Sequence, residues 1–183
     1  SGWEVIPDLA ITNKFYDNPA YLKALTEIGR DYDHREFDHV IFSYHGLPER
    51  QILKASKHYG AGTCSFGSCC DSINANNQYC YRANCMATTR ALVKSLGIPS
   101  GKYTSSFQSR LNDKWLQPFS DKIVEELGRK GAKKLLVFSP AFVADCLETI
   151  YEIGVEYEEI FKNHGGEKIQ LVRSLNAEDV WVD

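Results

Sequence analysis

Five of the six cysteines crowd into one short stretch, Cys64, Cys69, Cys70, Cys80 and Cys85, just downstream of Phe42-Ser43-Tyr44-His45-Gly46-Leu47-Pro48. The stretch reads GTCSFGSCCDSINANNQYCYRANC, too rich in Gly, Ser and Asn for a core element. Thiols concentrated in a polar loop near a strand-end histidine point to metal chemistry. Cys64 and Cys69 stand in a C-x4-C spacing, as do Cys80 and Cys85. Four thiolates suit a structural Zn2+ or a [2Fe–2S] cluster. Cys69 and Cys70 are chain neighbours that point in different directions, so one of the two is expected to ligate, Cys69 slightly ahead of Cys70. A disulfide scaffold is the weaker reading, because five thiols cannot all pair among themselves and nothing signals secretion.

A second set of candidates lies at strand ends. In a parallel α/β sheet, functional groups collect at the carboxyl ends of the strands. His45 follows the apolar run Val40–Tyr44, and Ser139-Pro140-Ala141-Phe142-Val143-Ala144-Asp145-Cys146-Leu147-Glu148 follows Leu135–Phe138. Each has an ordinary explanation. A histidine after a strand is commonly a hydrogen-bonded loop residue, Asp145-x-x-Glu148 has capping-box spacing, Cys146 reads as a small buried hydrophobe, and Trp115 is by default a packing residue. Glu148, Glu152 and Glu156 are harder to dismiss. Their four-residue spacing stacks like charges on one helical face, which costs a few tenths of a kcal/mol per pair. A solvated face tolerates that; the alternative is a row of carboxylates that receives a divalent cation or protons opposite His45.

The elements that position these groups alternate in type. Short apolar runs at Trp3–Ile6, Val40–Tyr44, Lys102–Gln108, Leu135–Phe138 and Ile169–Val172 read as strands. Helices are expected from Asp17-Asn18-Pro19 onward, with Tyr21, Leu22, Leu25 and Ile28 on the apolar face, and over Met86–Leu96, closed by Gly97. Others are expected from Ser120 to Leu127, capped by Ser120, and over Cys146–Lys162, with one more opening at Asn176 just before the chain stops. That alternation implies a Rossmann-like α/β fold, a mostly parallel sheet with helices on both faces. The 183 residues suffice for one domain with its own core, and the near-neutral balance of 21 basic and 24 acidic residues argues against a nucleic-acid surface. No apolar run is long enough to span a bilayer, and a cytoplasmic location is expected.

FSYHGLPER, SFQSR followed by WLQPFSD, FSPAFVADCLETIYEI and RSLNA, in that order, resemble the successive motifs of the ferrochelatases. The resemblance spans nearly the whole chain apart from the cysteine-rich insertion, residues 60–85. It implies a chelatase-like fold and one C-terminal domain over residues 1–183, the half of a two-part enzyme that inserts Fe2+ into a porphyrin. By the same resemblance, His45 stands at the metal centre, Glu148 is the carboxylate opposite and Glu152 the next acid, while Trp115, Phe142 and Asp145 line the macrocycle site. Cys146 stands where some members carry a second histidine. Some members hold a [2Fe–2S] cluster, which favours that cluster in the insertion over Zn2+ or no bound metal. The implied partners are the porphyrin and an N-terminal half, with peripheral contact to the inner membrane allowed. The rival readings are a chelatase for cobalt or another metal, and an iron–sulfur or zinc redox-sensing module.

Overall fold

The computed structural model describes residues 8–11, 14–58 and 64–182. The strand expected at Trp3–Ile6 lies outside them. Four strands, β1 (His39–His45), β2 (Tyr103–Gln108), β3 (Lys134–Phe138) and β4 (Lys168–Leu171), form one sheet in the order β2-β1-β3-β4. All three pairings are parallel, and β1 lies at the centre with His45 opposite Gln108 of β2. The α/β expectation therefore holds.

Successive strand residues face opposite sides, and that alternation divides the core in two. Val40, Phe42 and Tyr44 join Phe107, Leu136 and Phe138 in a cluster with Tyr21, Leu25 and Ile28 of α1 (Pro19–Arg30) and Leu92 of α3 (Tyr81–Leu96). On the other face Ile41, Leu135 and Val137 pack with Val124 of α4 (Ser120–Arg129), Ile153, Tyr157 and Phe161. His45 continues the Ile41–Ser43 side of β1, so it belongs to the second face. α1 begins as expected, with Pro19 in its first turn and the Asn18 side chain accepting the Ala20 N–H at 2.9 Å. Gly97 closes α3 in the left-handed conformation at φ 68°, which a side chain would oppose.

Three expectations need correction. The helix expected over Cys146–Lys162 is broken into α5 (Leu147–Ile150), a π-helical segment (Glu152–Tyr157) and α6 (Glu158–Asn163). Glu156 N–H reaches back five residues to the Tyr151 carbonyl. The wider turn spoils the four-residue register, so Glu148, Glu152 and Glu156 do not share one environment. Ser120 does not cap α4; its hydroxyl turns into the core instead. Asn176 does not open a helix: it sits at φ 50° and its side chain bonds Asp145, while the terminal turn α7 spans Asp179–Val182. Two elements were not anticipated, α2 (Glu49–His58) and the first turn of α3, which starts at Tyr81 rather than Met86. Among the described residues no helix is long and apolar enough to cross a membrane.

Asp38 ties two strand starts together, accepting the N–H groups of Lys133 (2.6 Å) and Lys134 (2.9 Å). Those bonds, Lys134's first, hold its carboxyl below the usual 3.8. A depressed folded-state value contributes stability above the unfolded value, and that stability is lost as pH falls through the folded one. Asp38→Asn is expected to lower unfolding free energy by about 1 kcal/mol at neutral pH, discounted for exposure. The gap between variant and parent in urea melts should shrink as pH drops below the usual carboxylate range; a gap independent of pH would contradict it.

Candidate functional site

The site begins with a buried amide. Gln108 ends β2 at 1 % exposure, beside His45. Its Oε1 accepts from Ser43 Oγ at 2.8 Å. Its Nε2 donates to the Glu148 carbonyl at 2.7 Å and to Glu152 Oε2 at 3.1 Å. Ser43 and Ser106 each meet Ser120 Oγ at 2.8 Å, completing a hydroxyl chain under the strand ends. One side chain thus holds the Glu148 backbone against the strand that presents His45.

Glu152 is the second anchor. Besides Gln108, its carboxylate accepts from Ser109 N (2.7 Å), Ser109 Oγ (2.6 Å) and Tyr157 OH (2.8 Å). Ser109 sits at φ 58°, a conformation that disfavours a side chain, and the two bonds to Glu152 offset that strain. The chain then leaves β2 at the angle that starts the loop carrying Trp115. Arg110 fixes the same loop, bonding Asp121 at 3.0 Å and Asp113 at 2.9 Å with its guanidinium over the Phe119 ring.

Gly46 lets this loop close on β1. Its N–H donates to the Gln108 carbonyl at 2.8 Å. A Cβ there would stand 2.8 Å from that oxygen and 3.2 Å from Trp115 Cε3, so no larger residue fits without moving backbone. The His45 ring lies between two aromatics, its centroid 6.3 Å from Trp115 and 6.1 Å from Phe142. Its Nδ1 meets the Gly46 carbonyl at 2.6 Å. A carbonyl only accepts, so Nδ1 carries the hydrogen and Nε2 keeps its lone pair. Glu148 is half-buried near His45, and its carboxyl is held below the usual value first by its own backbone N–H, then by Cys146.

His45, Trp115, Phe142 and Glu148 are therefore brought to one place, and Glu152 sits just beneath. Asp145 is engaged elsewhere. It accepts from Ser174 N (3.0 Å) and Asn176 Nδ2 (2.9 Å), while its own N–H donates to Asn176 Oδ1 (2.9 Å). Burial pushes its carboxyl up, but those bonds outweigh burial and leave it lowered. Cys146 is half-buried ahead of α5, its N–H on Thr149 Oγ1 at 3.0 Å, rather than inside a core helix. Gln108, Ser109 and Ser43 were not singled out from the sequence, and Ser120 only as a helix cap, although each falls in a motif: Ser43 in FSYHGLPER, Gln108 and Ser109 in SFQSR, and Ser120 in WLQPFSD.

The cysteines divide. Cys69 Sγ lies 3.9 Å from Cys70 Sγ within the short 3-10 turn Ser68–Cys70. Cys64 adjoins Cys69, and Cys70 adjoins Cys80, the residue preceding α3. A hydrogen bond with Cys70 holds Cys80 down at about 7, and the same contact, with burial, pushes Cys70 up. Cys85 instead lies in the main core at 4 % exposure, beside Tyr81, whose OH donates to the His45 carbonyl at 2.8 Å. All six thiols are free. As they lie, no group of three or more His, Cys, Asp or Glu among the described residues is set to hold a metal ion. The chemistry of the donor set does fit a thiolate-bound metal: four sulfurs in a chain of contacts, with the buried Arg82 Nε lacking any partner beside them.

The two acids beside Gln108 should separate on mutation. Glu152→Ala leaves the Ser109 and Gln108 donors without their acceptor and is expected to cost about 2–3 kcal/mol of stability. Glu148→Ala should stay within about 0.5 kcal/mol, because its side chain satisfies no buried donor of another element. Thermal melts of the pair check this, and equal losses would contradict it.

The sequence of the whole chain, residues 1–183, matches the family model described as ferrochelatase. The chain is similar to a ferrochelatase of Pseudomonas putida, 43% identical over 176 residues that cover 95% of the chain and 52% of that protein. Ferrochelatases of Pseudomonas entomophila and Pseudomonas syringae pv. tomato are each 44% identical, covering 94% of the chain and 51% of their own length. The chain thus spans about half the length of these relatives, and with its whole length matched it belongs to the ferrochelatase family.

Proposed function

We propose that this chain supplies the metal-handling wall of an enzyme that inserts Fe2+ into a porphyrin, protoporphyrin IX being the expected macrocycle, in the last step of haem synthesis. The observation that carries this is the His45 ring, set between Trp115 and Phe142 with its Nε2 lone pair free and Glu148 alongside. Metallation removes two pyrrole N–H protons as Fe2+ enters. A neutral imidazole accepts a proton, and a carboxylate held ionised offsets the cation's charge. Trp115 and Phe142 offer apolar faces for a macrocycle. Glu152 is proposed to serve this centre chiefly as the anchor that keeps Glu148 and Ser109 in place, and Asp145 as the clasp that holds the Phe142 turn to the RSLNA segment.

The half of the length that the relatives carry in addition is the proposed partner, completing the cleft around the macrocycle. Leu111, Leu147, Ile150 and Tyr151, all exposed and near site residues in the chain, are proposed to meet that half or the surface of an inner membrane from the cytoplasmic side. A cobalt chelatase is disfavoured by the single His45 and by the long ferrochelatase-like motifs. In the cysteine loop we propose a [2Fe–2S] cluster, for which the crowded thiols and the unpartnered Arg82 Nε are the support; Zn2+ would suit the same donors. A loop that only senses redox state would leave the His45 arrangement without a use.

In the full-length protein, His45→Ala is expected to abolish nearly all porphyrin metallation, followed by haem absorption, while the thermal melt stays within a few degrees. Retained turnover would remove His45 from the mechanism. The present chain alone should fold yet fail to metallate porphyrin; robust haem formation by it would contradict the need for a second wall. Anaerobically purified full-length protein should be coloured, with iron and sulfide in equal amounts.

A further inference from the structure

Five thiols crowd this loop, and a four-thiolate centre leaves one of them out. We infer that the metal-binding set is Cys64, Cys69, Cys70 and Cys80, and that Cys85 stands outside it. This rests on the loop holding a metal centre at all, and it names that centre's ligands.

The two faces of α3 separate the thiols. Arg82, Met86, Thr89 and Arg90 line one cavity together with Gly67, Cys70 and Asp71. Tyr81, Asn84, Cys85 and Thr88 line another with Tyr21 and Tyr44. Cys85 lines the second cavity and is 4 % exposed, so its sulfur sits in the core beside Tyr81 rather than in the cavity that Cys70 lines. Bringing Cys85 round would mean unwinding the first turn of α3. That would also break the Tyr81 hydrogen bond to the His45 carbonyl.

Cys70 replaces it naturally. Sulfurs bound to one tetrahedral metal with bonds of about 2.3 Å stand about 3.8 Å apart. The Cys69 and Cys70 sulfurs, side by side in sequence, are already 3.9 Å apart because the 3-10 turn directs both to the same side. Cys64 adjoins Cys69, Cys80 adjoins Cys70, and Cys64 and Cys80 are near enough to act on one another. Closure needs only that these two thiols be drawn in. The local charge suits the product: Arg82 adjoins Cys70, Arg90 donates to the Cys70 carbonyl at 3.0 Å, and Arg82 Nε is buried without a partner. That N–H is free to donate to a ligand sulfur or bridging sulfide. Loading is ligand exchange without redox change. A [2Fe–2S]2+ unit delivered on four donor thiolates would exchange them for the four cysteines. Four donor iron–sulfur bonds would break as four new ones form, the four cysteine S–H protons would pass to the departing thiolates, and a dianion would be left beside the two arginines.

The test uses the full-length protein purified without oxygen, with iron and sulfide content, visible absorption and the EPR spectrum of the reduced form as readouts. Cys85→Ala should keep all four unchanged; should that variant melt early, Cys85→Val refills the space and serves instead. Cys70→Ala should lose iron and sulfide, and Cys70→Ser should either lose them or show shifted absorption and g values, because oxygen replaces sulfur on iron. Loss in both Cys85 variants with an unaltered spectrum in Cys70→Ser would overturn the ligand set while the metal centre stood. Wild-type protein free of iron, sulfide and zinc would overturn both. Zinc bound with the same cysteine dependence would uphold the ligand set and replace the cluster.

Discussion

A primary amide buried in a protein must satisfy both its acceptor and its donors, and Gln108 does so only because three separate segments meet on it. Ser43 comes from β1, the Glu148 carbonyl from α5, and Glu152 from the π-helical segment. Each of these partners is itself partly buried, so moving one strands another. Since β1 carries His45 and α5 carries Glu148, the amide sets the spacing between the two groups that the proposed chemistry needs. The register of β1 with β2, which puts Gln108 directly beside His45, is what makes a single side chain sufficient.

The alternation of side chains along β1 assigns the two kinds of chemistry to different faces. His45 shares its face with Ile41 and Ser43, and therefore with α4, the π-helical segment and α6. Tyr44 points the other way, into the core with Cys85, Leu92 and Phe107, where its hydroxyl meets Thr89 at 2.8 Å. A shift of one residue in the pairing of β1 would exchange these environments entirely. The aromatic and aliphatic residues that fill both sides make such a slip costly, so the packing of the core and the placement of the imidazole are one constraint.

Much of this architecture was legible because strong local signals agreed with the global fold. Alternating apolar runs announced β1, β2, β3 and β4, and Asn18-Pro19 and Gly97 marked helix ends through known cap geometry. Motif order led to His45, Trp115, Phe142 and Glu148, which the fold does gather. What stayed hidden depended on long-range contacts. Periodicity alone made Cys146–Lys162 one helix, because a single extra residue in a turn leaves no mark in composition; the π turn is visible only once Glu152 is seen bound to Ser109 and Tyr157. Ser120 looked like a cap, yet a buried hydroxyl chain competed for its oxygen and won. Asn176 likewise serves Asp145 instead of a helix end. α2 escaped notice because its apolar face is short, with Ile52 its buried anchor.

The cysteine loop and the imidazole lie on opposite sides of β1, yet they are joined by a very short path. Cys80 precedes α3, Tyr81 is the first residue of that helix, and Tyr81 OH donates to the carbonyl of His45. The loop from Cys64 onward is mostly polar, and the contacts that order it include the bonds of Asn77 to the Cys69 and Ser72 carbonyls, of Arg90 to the Cys70 carbonyl, and the packing of Cys64, Phe66 and Cys80 on the main core. Whatever fixes Cys80 fixes the start of α3, and with it the hydrogen bond that holds the end of β1. Because Tyr81 binds the His45 backbone rather than its ring, a disturbance in the loop would act on where the imidazole stands and leave its tautomer, set by the Gly46 carbonyl, unchanged. The physical consequence is a separation of duties at one residue: the sheet face chooses the side chains around His45, its neighbour's carbonyl chooses its protonated nitrogen, and the helix that follows the thiols steadies its main chain.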